Sequence, residues 1–205
     1  MSIETRAKQK KMKKNVKTVW RDGEKWRFAA DIRREEKSGI EKDSKGHTFF
    51  MMKKETVVIC IGSDKVSGDM LGPLVGSALR DEYDLPCPVY GAVGESVNGV
   101  NLDSYVRMIE RRHKGAALIA VDAALGKEED VGKIRLKRGG VKAGGAMARK
   151  SDPVGDLGIV GIVAKESAPK DVVASLLAVP FELVESLAQG IAKVICFALS
   201  QGENA

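Results

Sequence analysis

The sequence predicts an α/β protein: three layers, α/β/α, built around a mostly parallel sheet. Three observations carry that expectation. Short apolar runs rich in β-branched residues recur along the chain, at Val57–Ile61, Ala116–Val121 and Gly158–Val163. Each run is apolar on both faces, as a strand inside a sheet covered on both sides must be. Helical spacing returns between and after them, and this alternation is the pattern of strands linked by crossover helices.

The elements follow in order. Residues 1–15 are mostly Lys, Arg, Gln and Glu with little to bury, so this end of the chain is expected to be disordered. In Val19-Trp20-Arg21-Asp22-Gly23-Glu24-Lys25-Trp26 an Asp-Gly pair separates two aromatic-bearing runs, which predicts a hairpin. Residues 31–47 are charged again. These features place a basic N-terminal arm at 1–50 and the α/β/α domain at 51–205.

After the Thr56–Ile61 strand, Leu71, Leu74, Val75, Ala78 and Leu79 mark a helix from Leu71 to Tyr83, with Pro73 suited to its first turn. Val89–Val93 reads as a short strand. Asn101 is placed to cap a helix carrying Leu102, Tyr105, Val106 and Ile109. The next strand, Ala116–Val121, is followed at once by Asp122. Val131–Lys137 alternates as a half-exposed strand does, and 139–150 reads as a mobile Gly- and Lys-rich loop. Beyond Gly158–Val163, Pro180 opens a terminal helix with Val184, Leu187, Ala188, Ile191 and Ile195 on one face.

The formal net charge of +6 is uneven. Residues 1–54 carry about +9 and the remainder about −3, so the basic excess belongs to the arm, and no specific nucleic-acid binding is expected of the domain. Three cysteines in no framework spacing fit free thiols in a reducing compartment, the cytoplasm. No apolar run of about 18 residues occurs, and no apolar leader opens the chain, so neither a membrane span nor a secretory signal is expected.

The chemistry-bearing stretch is Gly62-Ser63-Asp64-Lys65-Val66-Ser67-Gly68-Asp69, at the carboxyl end of the first buried strand. In open α/β sheets that edge is where ligands bind. Gly62 to Gly68 has one residue too many for a P-loop, and Asp69 stands where its lysine belongs. G-x-G-x-x-G and G-x-S-x-G are also absent, and a serine nucleophile, Ser63 or Ser67, needs a base nearby. His113 ends a helix in a basic cluster and reads as a solvated C-terminal cap.

Asp69 and Asp122 both fall at carboxyl ends of buried strands. Two carboxylates brought close cannot both ionise freely, so one becomes an acid and the other a base. The plainer alternatives are a helix N-cap for Asp69 and a turn residue for Asp122. Asp64 fits either an Asx-type loop brace or an assistant to Asp69. Asp156 reads as a turn acid at a strand entry, and with Ser63 and Asp64 it completes the set of supporting candidates.

The segment Val57–Gly76 resembles the YyaC-type sporulation proteins of spore-forming bacteria, as do Val100-Asn101-Leu102, Val121–Gly126, Pro153–Asp156 and Gly161-Ile162-Val163. The blocks lie in the right order across roughly residues 55–200. That family is in turn similar to the spore germination protease and, more remotely, to the hydrogenase-maturation endopeptidases. The resemblance implies a phosphorylase/hydrolase-like fold and a sporulation-associated peptidase. Gly68-Asp69-Met70-Leu71-Gly72-Pro73 and Val121-Asp122-Ala123 match the two acid-bearing blocks of the germination protease, which makes Asp69 and Asp122 the implied catalytic pair. In the maturation enzymes the equivalent acids bind nickel together with a histidine. No histidine here matches that ligand, so neither a metal nor another cofactor is expected.

The implied substrate is a protein or peptide, such as a small spore protein, in the cytoplasm of mother cell or forespore. Formation of a homo-oligomer is compatible with this reading. Two alternatives stay open: a catalytically inactive binding or assembly protein on the same fold, and a metal-dependent maturation endopeptidase. The N-terminal arm is outside the resemblance.

Overall fold

The computed structural model describes residues 16–22, 25–28, 40–42, 48–50, 55–83, 85, 87–142 and 152–200. Nine strands and four α-helices are defined among them. The strands are β1 (Val16–Asp22), β2 (Lys25–Phe28), β3 (Ile40–Lys42), β4 (Thr48–Phe50), β5 (Thr56–Cys60), β6 (Val89–Tyr90), β7 (Ala117–Gly126), β8 (Ile134–Arg138) and β9 (Leu157–Lys165). The helices are α1 (Leu71–Asp81), α2 (Leu102–Arg112), α3 (Val172–Leu177) and α4 (Phe181–Ser200).

The main sheet has the order β2-β1-β8-β9-β7-β5-β6. Its body, β8-β9-β7-β5-β6, is mostly parallel: β5 pairs in parallel with β6 and β7, β7 with β9, and only β8 runs antiparallel to its neighbour. β1 and β2 pair antiparallel as the predicted hairpin requires, although Asp22, expected in the pair that separates the two runs, ends β1 opposite Lys25, and β1 joins the sheet by pairing antiparallel with β8. The charged stretch before the domain carries no strand pattern, yet β3 pairs with β4 in a separate two-stranded ribbon. The expected disorder of 1–15 lies outside the described residues.

Alternate β5 side chains explain the layering. Val58 and Cys60 pack with Leu71, Val75 and Leu79 of α1 and with Val184, Leu187, Ile191 and Ile195 of α4. Val57 and Ile59, together with Ile61 just beyond the strand, pack on the other face with Leu102 and Ile109 of α2. Both clusters are sealed from water, which is why β5 reads as apolar throughout rather than alternating.

Several elements differ in detail from the sequence reading. β6 stops after two residues, because Gly91 takes a φ of 88° and lies against the Cys60 carbonyl. β7 runs on to Gly126 instead of ending at Val121; β9 supplies the partner that Ala123–Gly126 need. Val131–Lys133 form a turn, with Gly132 at a φ of 82°, and the strand starts at Ile134. Asn101 stands at the N-cap position without capping: its Oδ1 accepts from the Asn98 N–H and its Nδ2 donates to the Ser96 carbonyl, bracing the preceding loop. The short helix α3 has no counterpart in the sequence reading. Of the predicted loop at 139–150, residues 143–150 lie outside the described set, while Val141 is bridged to Val154.

Candidate functional site at the carboxyl edge

β5 leads through α1 to β6 on one side of it. α2 then carries the chain back to β7 on the other side. The connections leaving β5 and β7 therefore diverge, and the carboxyl edge between these two strands is the topological switch point where open α/β sheets hold ligands.

The local backbone makes a notch there. β5 and β7 pair from Thr56/Ala117 to Cys60/Val121. The Ile61 N–H makes a last bond to the Val121 carbonyl (2.8 Å), and the Gly62 N–H turns away to Val97 (2.8 Å). β7 continues along β9, so Asp122 is the first residue of β7 whose β5 side is vacated by the departing strand. The loop then folds back. The Ser63 N–H donates to the Asp69 carbonyl (3.1 Å), and a 3-10 turn, Ser67–Met70, carries Asp69 into α1. Gly62 permits this return: a Cβ there would come within 2.1 Å of the Asp69 carbonyl oxygen.

Asp122 is 9% exposed, one of two polar residues in the buried set among the described residues. Its Oδ1 accepts from its own neighbour, the Ala123 N–H (2.9 Å). Burial, and after it the Asp69 carboxylate, push its pKa well above the ordinary value, with the Ala123 N–H opposing. Asp69 is half-buried, and burial raises its pKa too, against a contribution from the Ser63 N–H. Burial thus favours proton retention at both acids, and the Asp69 carboxylate reinforces it at Asp122. The helix-cap alternative for Asp69 does not describe its side chain: Met70 occupies the N-cap position of α1, and no side-chain bond caps that helix.

The supporting candidates divide. Asp64 lies in the same loop, where its Oδ2 accepts from Gly94 N–H (3.0 Å) and its own N–H donates to Ser96 Oγ (3.3 Å), the loop-brace arrangement. Ser63 Oγ accepts from the Lys65 N–H (3.3 Å). Asp156 stands apart. Its Oδ2 accepts from Leu118 N–H (2.9 Å) at the start of β7, four residues before Asp122 and so about 13 Å away along the strand, at the amino edge.

His113 is also at the amino edge. Its Nε2 meets Tyr90 OH (2.9 Å) and its Nδ1 faces Glu55 Oε1 (3.4 Å), so its ring is held by partners rather than solvated as a simple cap. Sequence reasoning missed Ser67 as a strut: its Oγ donates to the Val179 carbonyl (2.7 Å), tying the Asp69 turn to the segment between α3 and α4. Among the described residues, no group of three or more His, Cys, Asp or Glu side chains is arranged to hold a metal ion.

A family model described as "Protein of unknown function (DUF1256)" matches residues 33–194. The chain belongs to the DUF1256 family. It is 41% identical over 110 residues to "Uncharacterized protein YyaC" of Bacillus subtilis (strain 168), a match spanning 54% of each chain. The chain thus spans about half the length of the curated relative it matches. Among solved structures, a [NiFe] hydrogenase maturation protease, HycI, from Thermococcus kodakarensis KOD1 superposes with a TM-score of 0.50 at 20% identity. That overlap covers 72% of this chain and 93% of that one. A peptidyl-tRNA hydrolase from Acinetobacter baumannii gives 0.44 at 17% identity, covering 75% and 91%. The likeness to the maturation protease is one of fold, in agreement with the predicted phosphorylase/hydrolase-like architecture. No helix among the described residues is long and apolar enough to cross a membrane.

Proposed function

We propose that this DUF1256 protein is a peptidase of the sporulating cell that hydrolyses a peptide bond with the pair Asp69 and Asp122. One observation supports the reading: the loop folds back so that the Asp69 turn bonds to Ser63 just past the end of β5, next to the strand carrying Asp122, and burial raises the pKa of both acids. Asp122, the more buried, retains the shared proton and donates it to the scissile carbonyl. Asp69, the more exposed, takes a proton from the attacking water. The proton that Asp69 took from the water then passes to the leaving amine as the tetrahedral intermediate collapses, and Asp122 takes back its proton from the hydroxyl formed on the scissile carbon. The pair titrates as a unit, so rate follows the ionisation of both together. The protein or peptide substrate rests on the resemblance of the acid-bearing blocks to those of the spore germination protease, and the cytoplasmic setting on the three free thiols.

A non-catalytic binding role on the same fold is favoured by one detail, the Asp122–Ala123 bond, which gives that carboxylate a local structural partner. Incubating the full chain with a mixed peptide digest and reading products by mass spectrometry separates the two. Under the peptidase reading the wild type generates new termini and Asp69→Asn and Asp122→Asn do not, and chelator leaves the products unchanged. Equal product patterns from all three proteins defeat the acid pair. Loss of activity with EDTA, restored by a divalent metal, replaces the pair by a metal-assisted mechanism.

A further inference from the structure

β5 enters the site between two neighbours, and one turn decides which of them the chain follows out. The Ile61 N–H still bonds the Val121 carbonyl of β7 (2.8 Å). The Gly62 N–H bonds the Val97 carbonyl instead (2.8 Å), and Ile61 and Val97 form a parallel bridge. Val97 belongs to the connection that leaves β6, on the side of β5 away from β7. The chain is therefore drawn toward β6 as soon as it passes Val121, and that departure is what vacates the lane beside Asp122.

Residues 92–97 form the turn that holds it there. The Glu95 N–H donates to the Ala92 carbonyl (3.0 Å), and Gly94 takes a φ of 83° within the turn. The bonds from this turn fall into two groups. The Val93 N–H donates to Ser77 Oγ (3.1 Å) and Glu95 Oε2 accepts from Arg80 Nη1 (2.7 Å), which anchors the turn to α1 well beyond the Asp69 turn. The other group holds the acid-bearing loop itself. Asp64 Oδ2 accepts from the Gly94 N–H (3.0 Å), and the Asp64 N–H donates to Ser96 Oγ (3.3 Å). Ser96 is held in turn, because its carbonyl accepts from Asn101 Nδ2 (3.0 Å) at the head of α2. A line of bonds thus runs from α2 through Ser96 to Asp64, and the loop beyond Asp64 closes on the Ser63–Asp69 backbone bond (3.1 Å).

We propose that Ser96 is a positioning residue for the acid pair: its hydroxyl holds Asp64 from the β6 side and so fixes the loop that carries Asp69 next to the strand carrying Asp122. Ser96 acts through Asp64 and not on the reacting atoms. This inference rests on the peptidase reading for its effect on rate, but the position of the loop is readable without turnover.

That readout is the titration of the two carboxyls. Burial raises the pKa of Asp69 against the Ser63 N–H; burial, and after it the Asp69 carboxylate, raise that of Asp122 against the Ala123 N–H. A loosened loop admits water and takes Asp69 away from Asp122, and each change lowers the upper midpoint of the pair. The test uses the full chain labelled with carboxyl-13C aspartate and followed by NMR against pH, with the two resonances assigned from Asp69→Asn and Asp122→Asn. Ser96→Ala is expected to lower the upper midpoint by at least about half a pH unit. In the peptide assay it is expected to lower kcat about tenfold and to leave KM within about twofold. Ser96→Thr, which keeps the hydroxyl, is expected to restore both. Ser77→Ala removes a bond to the same turn without releasing the loop, and both readouts are expected to stay at their wild-type values. An unchanged midpoint in Ser96→Ala overturns the proposal. So do equal effects from Ser77→Ala, which reduce Ser96 to a general contribution to stability, and failure of Ser96→Thr to restore the readouts. If the midpoint moves as expected while the wild type cleaves no peptide, the positioning role stands and the peptidase reading fails. If the wild type cleaves peptides and Ser96→Ala changes neither kcat nor midpoint, the reverse is true.

Discussion

Gly62→Ala is the most informative single perturbation, because it adds one methyl group beside the site without removing a functional one. The new Cβ would sit 2.1 Å from the Asp69 carbonyl oxygen and 3.0 Å from Pro73 Cδ. Ordinary contact begins near 3.4 Å, so the Asp69 turn must retreat by about 1.3 Å or β5 must yield. The retreat breaks the Ser63–Asp69 backbone bond, worth about 1 kcal/mol net. Overpacking adds about 1–3 kcal/mol. A loss of about 2–4 kcal/mol in urea denaturation is expected, with a folded circular dichroism spectrum retained in water. Because a 1 Å misplacement of a catalytic group can cost about a hundredfold in rate, kcat should fall by about that factor while the protein remains folded. Gly62→Ala with unchanged kcat and a stability loss under about 0.5 kcal/mol refutes the account of the turn as a positioned element.

Four further outcomes are expected. Asp122→Asn should lower turnover by about 10²–10⁴-fold, the range for a general acid, in a steady-state peptide assay. The same variant should gain stability relative to the wild type as pH rises. The Asp122 pKa is raised by folding, so its contribution to wild-type stability is present below about 3.8 and lost as pH climbs through the raised value; melting curves from pH 4 to 8 read this out. Ser67→Ala should cost about 1 kcal/mol by removing the bond to Val179, and should lower kcat more than it changes far-UV dichroism. Asp156→Ala should destabilise by about 1 kcal/mol through the orphaned Leu118 N–H and leave kcat unchanged; a kcat effect would return Asp156 to the supporting set.

The fold was legible where burial is two-sided. Val57–Ile61 and Gly158–Val163 admit no amphipathic alternative, and α1 and α4 announce themselves by spacing and by Pro73 and Pro180. What local pattern could not supply is pairing. Ala123–Gly126 has no strand signature of its own and is extended because β9 runs beside it. Asn101 carries a good capping side chain, but the Asn98 N–H and Ser96 carbonyl compete for it and win.

The acids were legible as strand-edge positions, since any parallel strand delivers its following residue to the same edge. That β5 ends level with Val121, leaving Asp122 beside a vacated lane, depends on register and was not. Ser67 escaped notice because its partner, Val179, is 112 residues away.

The hairpin β1–β2 determines how one side of the main sheet ends. The family match starts at residue 33, after both strands, yet β1 occupies the free side of β8. A chain trimmed to the family's limits would expose β8 as an open edge, a template for strand addition from another molecule. With the hairpin in place the outermost strand among the described residues is β2, whose sequence, Lys25-Trp26-Arg27-Phe28, sets two like charges in four residues. Like charge on a terminal strand opposes stacking against a second copy of itself. Among the described residues, the hairpin thus covers the β8 edge and leaves the short, charged β2 as the outer strand.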